Sequence, residues 1–449
     1  MLRTLARLPR TGPQPLLRRG ISRSAARAAA RPSKTHLPGH PESPYVARLD
    51  AAFLDGRPAG IPTYRLTDGH GTLLEGVDEA SLNLGQEEAV AMYRTMQLLP
   101  ALDLILYASQ RQGRVSFWMT SSGEEAAIVG SAAGLRATDE VFAQYRELGV
   151  LLWRGYGLDE VMNQVFGTAV DHGKARQMPV HFGSTKHHFH TISSPLATQI
   201  PQAAGAAYAL KRSPGREEDV AVCYFGEGAA SEGDAHAGMN IAATLRCPVL
   251  FIVRNNGFAI STPSAEQYCG DGIASRGPGY GIPTIRVDGN DALAVRSAVQ
   301  TARARAIAEH RPMLIECMTY RVGHHSTSDD SSAYRSASDV DRRRSADNPL
   351  HRMAEYLKAR GWWNDKQEEE IKKSYRRDIV AAMSKAEKLK RPSLSSMFDD
   401  TYVDMPENLK DQRAELARLV ELYGETDEWK KELQKHEFEG KDLAEHRRR

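Results

Sequence analysis

The feature that most constrains this 449-residue chain is an alternation of short apolar runs with helical patterns. The runs are "VAVCYF" (220–225), "VLFIV" (249–253), "TIRV" (284–287) and "LIECMTY" (314–320), and segments 232–245 and 291–309 carry helical periodicity between them. Apolar strands of about five residues, spaced by helices, form a mainly parallel sheet covered on both faces: an α/β fold. Helices are also expected over 78–110 and 197–211. "TSSGEEAAIVGSAAGL" (120–135) reads as a small-residue helix capped by Ser121 or Ser122. Residues 32–70, rich in Pro and Gly, are expected to wrap a surface, and no internal repeat is present.

The chain is 41% hydrophobic and 26% charged, as globular proteins are. No uninterrupted run approaches the roughly 18 apolar residues of a membrane span. The formal net charge of +2 does not mark a nucleic-acid binder. Charge is nevertheless uneven: residues 1–31 hold eight arginines, and the first acid is Glu42. An Arg-, Ser- and Ala-rich acid-free start has the composition of a mitochondrial presequence, and so implies the matrix. A basic arm for nucleic acid is the weaker reading of the same residues. Cys223, Cys247, Cys269 and Cys317 show no CxxC spacing and read as reduced thiols. The expected organisation is a presequence over 1–35, an α/β domain over 36–400 and a charged, solvated tail over 401–449. Within the domain lie a polar, mobile loop (322–345) and a helical segment (350–398).

Ligands of a parallel sheet bind beyond the carboxyl ends of its strands. "VAVCYF" ends in Gly226-Glu227-Gly228, and "VLFIV" ends in Arg254-Asn255-Asn256. The 26 residues between Gly228 and Asn255 suffice for one helix and a return strand, so the two strand ends are neighbours. A carboxylate and an amide oxygen converging there suit magnesium, which takes about six oxygens, several from water and phosphate. Glycines let backbone approach a phosphate, and a helix starting near Ser231 aims its amino end at it. Neither G-x-G-x-x-G nor G-x-x-x-x-G-K-[ST] occurs in context, and a Gly-Asp-Gly at 270–272 has no strand before it. On spacing alone, a ligand site and a coincidental turn both remain open.

Longer blocks go further. Gly-acid-Gly with Asn-Asn about 26 residues later is similar to the thiamine-diphosphate/magnesium motif. "YFGEGAASEGDAHAGMNIAATLRCPVLFIVRNNGFAISTP", "QMPVHFGSTKHHFHTISSPLATQIPQA" (177–203) and "YRVGHHSTSDDSSAYRS" (320–336) resemble the alpha subunits of branched-chain 2-oxo acid dehydrogenases, over about residues 45–425. Glutamate in the Gly-acid-Gly slot points to that branch rather than to the pyruvate one.

The resemblance implies a thiamine-diphosphate-binding fold and three cofactors: thiamine diphosphate, magnesium and potassium. It makes Glu227, Asn256 and the Phe258 carbonyl the magnesium ligands, although the family usually has Tyr at 258. Gln144, Tyr145, Arg146, Ser194, Leu196, Gly226, Gly228, Ala229, Arg254 and His325 would contact the cofactor, His325 in a catalytic role. Ser193, Pro195, Thr198 and Gln199 would surround potassium; without the family, that stretch reads as a loop before a helix. Ser326 and Ser336 correspond to kinase targets, and Ser326 adjoins His325, so an added phosphate charge would disturb the site.

The implied partners are a beta subunit (α2β2), a lipoyl-bearing acyltransferase core, a kinase and phosphatase, and a small 2-oxo acid. Nucleic acid and membrane are not expected. A pyruvate-type alpha subunit and a non-catalytic assembly subunit are the alternatives. Turnover of 2-oxoisovalerate against pyruvate separates the first, and magnesium-dependent cofactor binding separates the second. His187, His188 and His190 lack metal-ligand spacing and read as solvated or cofactor-rim residues. The tail beyond about 425 extends past the family pattern.

Overall fold

The computed structural model describes residues 60–445; the expected presequence lies outside the described residues. The described residues form nine strands: β1 (Thr63–Tyr64), β2 (Glu140–Phe142), β3 (Phe189–His190), β4 (Ala221–Gly226), β5 (Val249–Asn255), β6 (Phe258–Ala259), β7 (Thr262–Pro263), β8 (Thr284–Asp288) and β9 (Met313–Met318). Seven form one sheet in the order β1-β8-β9-β5-β4-β2-β3, all parallel, while β6 and β7 make a small antiparallel hairpin.

Period-two alternation splits each central strand between two cores. Val222, Tyr224, Leu250 and Ile252 face one side. There the helices Gln86–Arg111, Glu125–Ala133 and Ala292–Glu309 supply Met96, Leu102, Ile128 and Val299. Cys223, Phe225, Phe251 and Val253 face the other side, against Ile200, Ala204, Met239 and Ala242 of the helices Gln199–Arg212 and Gly233–Thr244. Burial on both faces explains why these strands read as continuous apolar runs. Helix Gln86–Arg111 is long and apolar enough to cross a membrane by length and composition, yet half of its apolar window is buried in the fold. All four cysteines are free thiols, and Cys269 alone is exposed.

Two expectations change. The 322–345 segment is not a mobile loop. Ser326, Thr327, Ser331 and Arg335 are buried, Asp330 caps a turn over Ser331–Ala333, and Ser336 caps a helix over Ala337–Ala346. Its Ser and Asp side chains bond to nearby backbone, so polarity here builds structure instead of solvating a coil. The tail is not simply solvated either. Helix Glu407–Tyr423 buries Ala417 together with Phe398 and Leu443, against Leu394 and Val420. Arg391 accepts from Glu437 N (3.0 Å) and donates to Lys435 O (2.8 Å), tying the chain end to 390–398. The few apolar residues of the tail are spaced to meet, which its overall charge conceals.

Candidate functional site: a cleft at the carboxyl ends of the central strands

Parallel register places Gly226 opposite Arg254 and Asn255 opposite Met318, so β4, β5 and β9 end together. The chain leaving β2 adds Gln144, Tyr145 and Arg146 to the same edge, and the Gln144 Oε1 accepts from Gly226 N at 2.9 Å. These ends open into a cleft of about 390 Å³. Gly226 to Ala229 form one wall, and Arg254, Asn256 and Phe258 form another. Leu196, Arg321 and His325 close it. A Cβ at Gly228 would lie 2.7 Å from Ala259 Cβ, so only glycine lets the β6–β7 hairpin sit this close.

The acid in the cleft is unusual. Glu227 is buried, and its Oε1 has no hydrogen-bond partner; Oε2 accepts only a long 3.4 Å bond from Asn256 N. Burial, with the Glu124 charge nearby, pushes its carboxyl up to about 7. A buried carboxylate oxygen without a donor is costly unless a cation completes it. Asn256 Oδ1 accepts from Phe258 N at 3.1 Å, while its Nδ2 donates to Glu124 at 2.9 Å, so the amide presents its oxygen end. Carboxylate, amide oxygen and main-chain carbonyl are the hard donors that suit magnesium.

Positive charge lies beside this acid. Arg321 is fully buried, and it donates to His325 Nδ1 (3.1 Å), Ile260 O (2.8 Å) and the Tyr334 hydroxyl (2.8 Å). Arg146 also meets His325 Nδ1, at 3.3 Å. Two guanidinium donors on one ring nitrogen make it an acceptor and put the imidazole proton on Nε2. Burial, Arg146 and Arg321 together press His325 down to about 3, so the ring is neutral at physiological pH. Arg254 is held differently: Glu147 binds its Nε, and Glu124 binds its Nη1. Burial alone would raise Glu124, but Arg254 and Arg146 hold it below the usual carboxylate range. Two arginines converge on a neutral imidazole, with no carboxylate paired to Arg321 among the described ion pairs, a donor set that suits an anion.

Comparison with known proteins fits this arrangement. A model of the dehydrogenase E1 component family matches residues 93–395. The mitochondrial 2-oxoisovalerate dehydrogenase subunit alpha of Mus musculus is 52% identical over 414 residues, 91% of this chain and 92% of that protein. Its Homo sapiens counterpart is 51% identical over 417 residues (91% and 93%), and that of Caenorhabditis elegans 51% over 387 (86% and 89%).

The chain belongs to the dehydrogenase E1 component family.

Most residues singled out from the sequence of this E1 component line the cleft, but Ser194 is elsewhere: its hydroxyl pairs with His181 Nε2 at 2.6 Å. Beside it, Thr198 Oγ1 lies 3.0 Å from Ser193 Oγ and 3.1 Å from Pro195 O, an oxygen cluster fit for a hard cation. Ala197, at φ 66°, makes the turn that gathers these oxygens. Gln199 instead directs its Nε2 to Tyr224 O at 2.9 Å. The Phe258 ring packs against the Arg335 guanidinium, whose carbon lies 5.5 Å from the ring centre, so no hydroxyl is needed there.

His187, His188 and His190 do not rim this cleft. Glu140 holds His188 (3.0 Å) and His190 (3.1 Å), Ser184 meets His187 (2.8 Å), and all but His187 line a separate cleft of about 560 Å³. No group of three or more His, Cys, Asp or Glu side chains placed to hold a metal ion occurs among the described residues. Sequence reasoning missed Glu124, Glu147 and Arg321. The signals were two adjacent acids opening an otherwise apolar small-residue helix, and an arginine four residues before His325.

Proposed function

We propose that this chain is the alpha subunit of a mitochondrial branched-chain 2-oxo acid dehydrogenase. It acts in the matrix with a beta subunit on small branched 2-oxo acids, and the acyl group passes to a lipoyl-bearing acyltransferase. The observation that carries the reading is the buried Glu227 oxygen without a donor, set beside Arg146, Arg321 and His325. Thiamine diphosphate, when bound, supplies the carbanion chemistry of decarboxylation.

The chain's own share is positioning and charge compensation. Glu227, Asn256 Oδ1 and the Phe258 carbonyl hold magnesium; Arg146, Arg321, Arg254 and His325 face the diphosphate. Neutral His325 keeps a proton on Nε2 and so offers a donor to the reacting end of the cleft. Tyr145 and Leu196 wall that end and limit water. Ser193, Pro195, Thr198 and Gln199 form the potassium loop, with Ser194 anchoring it through His181. Ser326 and Ser336 are the regulatory phosphorylation sites, and phosphate on Ser326 would set like charge against the diphosphate.

The test is titration of thiamine diphosphate into the α2β2 complex, with and without magnesium. Wild type should bind tightly only with magnesium, and Glu227→Ala should lose that binding. Binding indifferent to the substitution would refute the site. Turnover should favour 2-oxoisovalerate over pyruvate.

A further inference from the structure

Glu124 is wholly buried, stands at the start of helix Glu125–Ala133, and makes no capping bond to that helix. A carboxylate at a helix start normally serves the helix's own free N–H groups. This one turns to the cleft instead. Its Oε1 accepts from Asn256 Nδ2 at 2.9 Å and lies 3.6 Å from Arg146 Nε, and its Oε2 pairs with Arg254 Nη1. It therefore touches three of the residues assigned above to magnesium and diphosphate, while lining neither the cleft nor any ligand itself.

An asparagine amide has a donor end and an acceptor end of nearly equal size. Only its neighbours decide which end faces a ligand. At Asn256, Phe258 N requires the oxygen at 3.1 Å, and Glu124 requires the nitrogen at 2.9 Å. Glu124 can only accept while ionised, so the amide cannot turn over without setting its oxygen against a carboxylate. The same charge offsets Arg254 and Arg146, which would otherwise crowd positive charge around a cation site.

We propose that Glu124 is a positioning residue for the metal: it locks the Asn256 amide with its oxygen toward the cation and balances the arginines behind it. This rests on the magnesium reading of Glu227 and Asn256. Ligand-orienting partners of this kind change metal affinity by about 10–100-fold when removed.

Magnesium chloride is titrated into the α2β2 complex at fixed thiamine diphosphate, and cofactor binding is followed calorimetrically, independently of turnover. Glu124→Gln is isosteric but removes the charge and, with its amide nitrogen toward Asn256, brings a donor there. It should lower the unfolding temperature, because Arg254 and Arg146 lose a buried partner, and in the assembled complex raise the half-saturating magnesium concentration at least tenfold. Adding Asn256→Asp to Glu124→Gln gives that donor an acceptor while keeping an oxygen for the metal, and should recover most of the loss. In the wild-type background Asn256→Asp faces Glu124 and should bring no such gain. Should Glu124→Gln not assemble, Glu124→Asp keeps the charge, shortens the reach and should also raise half-saturation. Half-saturation within twofold of wild type in the assembled Glu124 variant, or the same effect of Asn256→Asp in both backgrounds, overturns the proposal. Glu227→Ala run alongside separates the two levels. Magnesium dependence surviving in Glu227→Ala removes the site itself, whereas its loss there with Glu124→Gln unaffected removes only the role of Glu124.

Discussion

Arg321 shows how a single buried charge can define a ligand. Its Nε has no partner, its other nitrogens reach only neutral acceptors, and burial with Arg146 nearby disfavours its charged form. Such a guanidinium is stabilised by an anion. Replacing it with methionine is expected to weaken thiamine diphosphate binding about 10–100-fold, the worth of a charge-assisted bond, and to leave thiamine lacking phosphates unaffected in the same titration. Glu125, next to Glu124, behaves oppositely. Burial pushes it up to about 8, and one oxygen accepts from Gly123 N at 3.0 Å. Its folded pKa exceeds its ordinary value of 4.5, so the folded state binds a proton that the unfolded chain releases. The stability this contributes is complete below about pH 4.5 and disappears as pH rises through about 8. Glu125→Gln should flatten that alkaline decline, read as denaturation midpoints of wild type and variant at pH 6 and pH 8.5.

Among the elements, the 324–336 segment joins the cleft to the two serines proposed above for phosphorylation. His325 N donates to Asp329 at 2.7 Å, the Tyr334 hydroxyl reaches the same carboxylate at 2.6 Å, and Arg335 binds Gly323 O at 2.7 Å. Thr327 N pairs with Trp118 O at 2.9 Å, joining the segment to the buried connection between helices Gln86–Arg111 and Glu125–Ala133. Ser326 is only 5% exposed within this network, whereas Ser336 is exposed and caps the next helix. A kinase can therefore reach Ser336 in the native fold, but Ser326 only after local opening. Site-resolved mass spectrometry of phosphate uptake should find Ser326 slower than Ser336. Arg335→Ala, which frees the segment from Gly323, should accelerate Ser326 alone. Equal rates in the native complex would mean that the segment opens freely.

For the whole molecule, the carboxyl-terminal region is a satellite core distant in sequence from the cleft. Leu433 and Leu443 are buried, and Leu443 packs with Phe398 and Ala417 against Val420. Deleting residues 425–449 removes both leucines, each worth about 1.5–3 kcal/mol of burial. Limited proteolysis should then cut within 390–424, while magnesium-dependent cofactor binding by the complex stays as in wild type. A loss of cofactor affinity would instead link the satellite core to the site. The α/β architecture was legible in the sequence because strands buried on both faces must be continuously apolar, and helices between them must be periodic. Glu227 and Asn256 were legible because parallel strands bring their carboxyl ends to one edge whatever the loops do. Arg321 follows β9 at that same edge, but Glu124 could not be placed that way: it meets Asn256, Arg146 and Arg254 from a helix far away in the chain, and only packing brings it there. The order of 322–345 was hidden for a related reason. A Ser- and Asp-rich stretch has the same composition whether its side chains bond to water or to backbone, and the choice was made by Trp118 and Phe258, which only the tertiary structure sets against it.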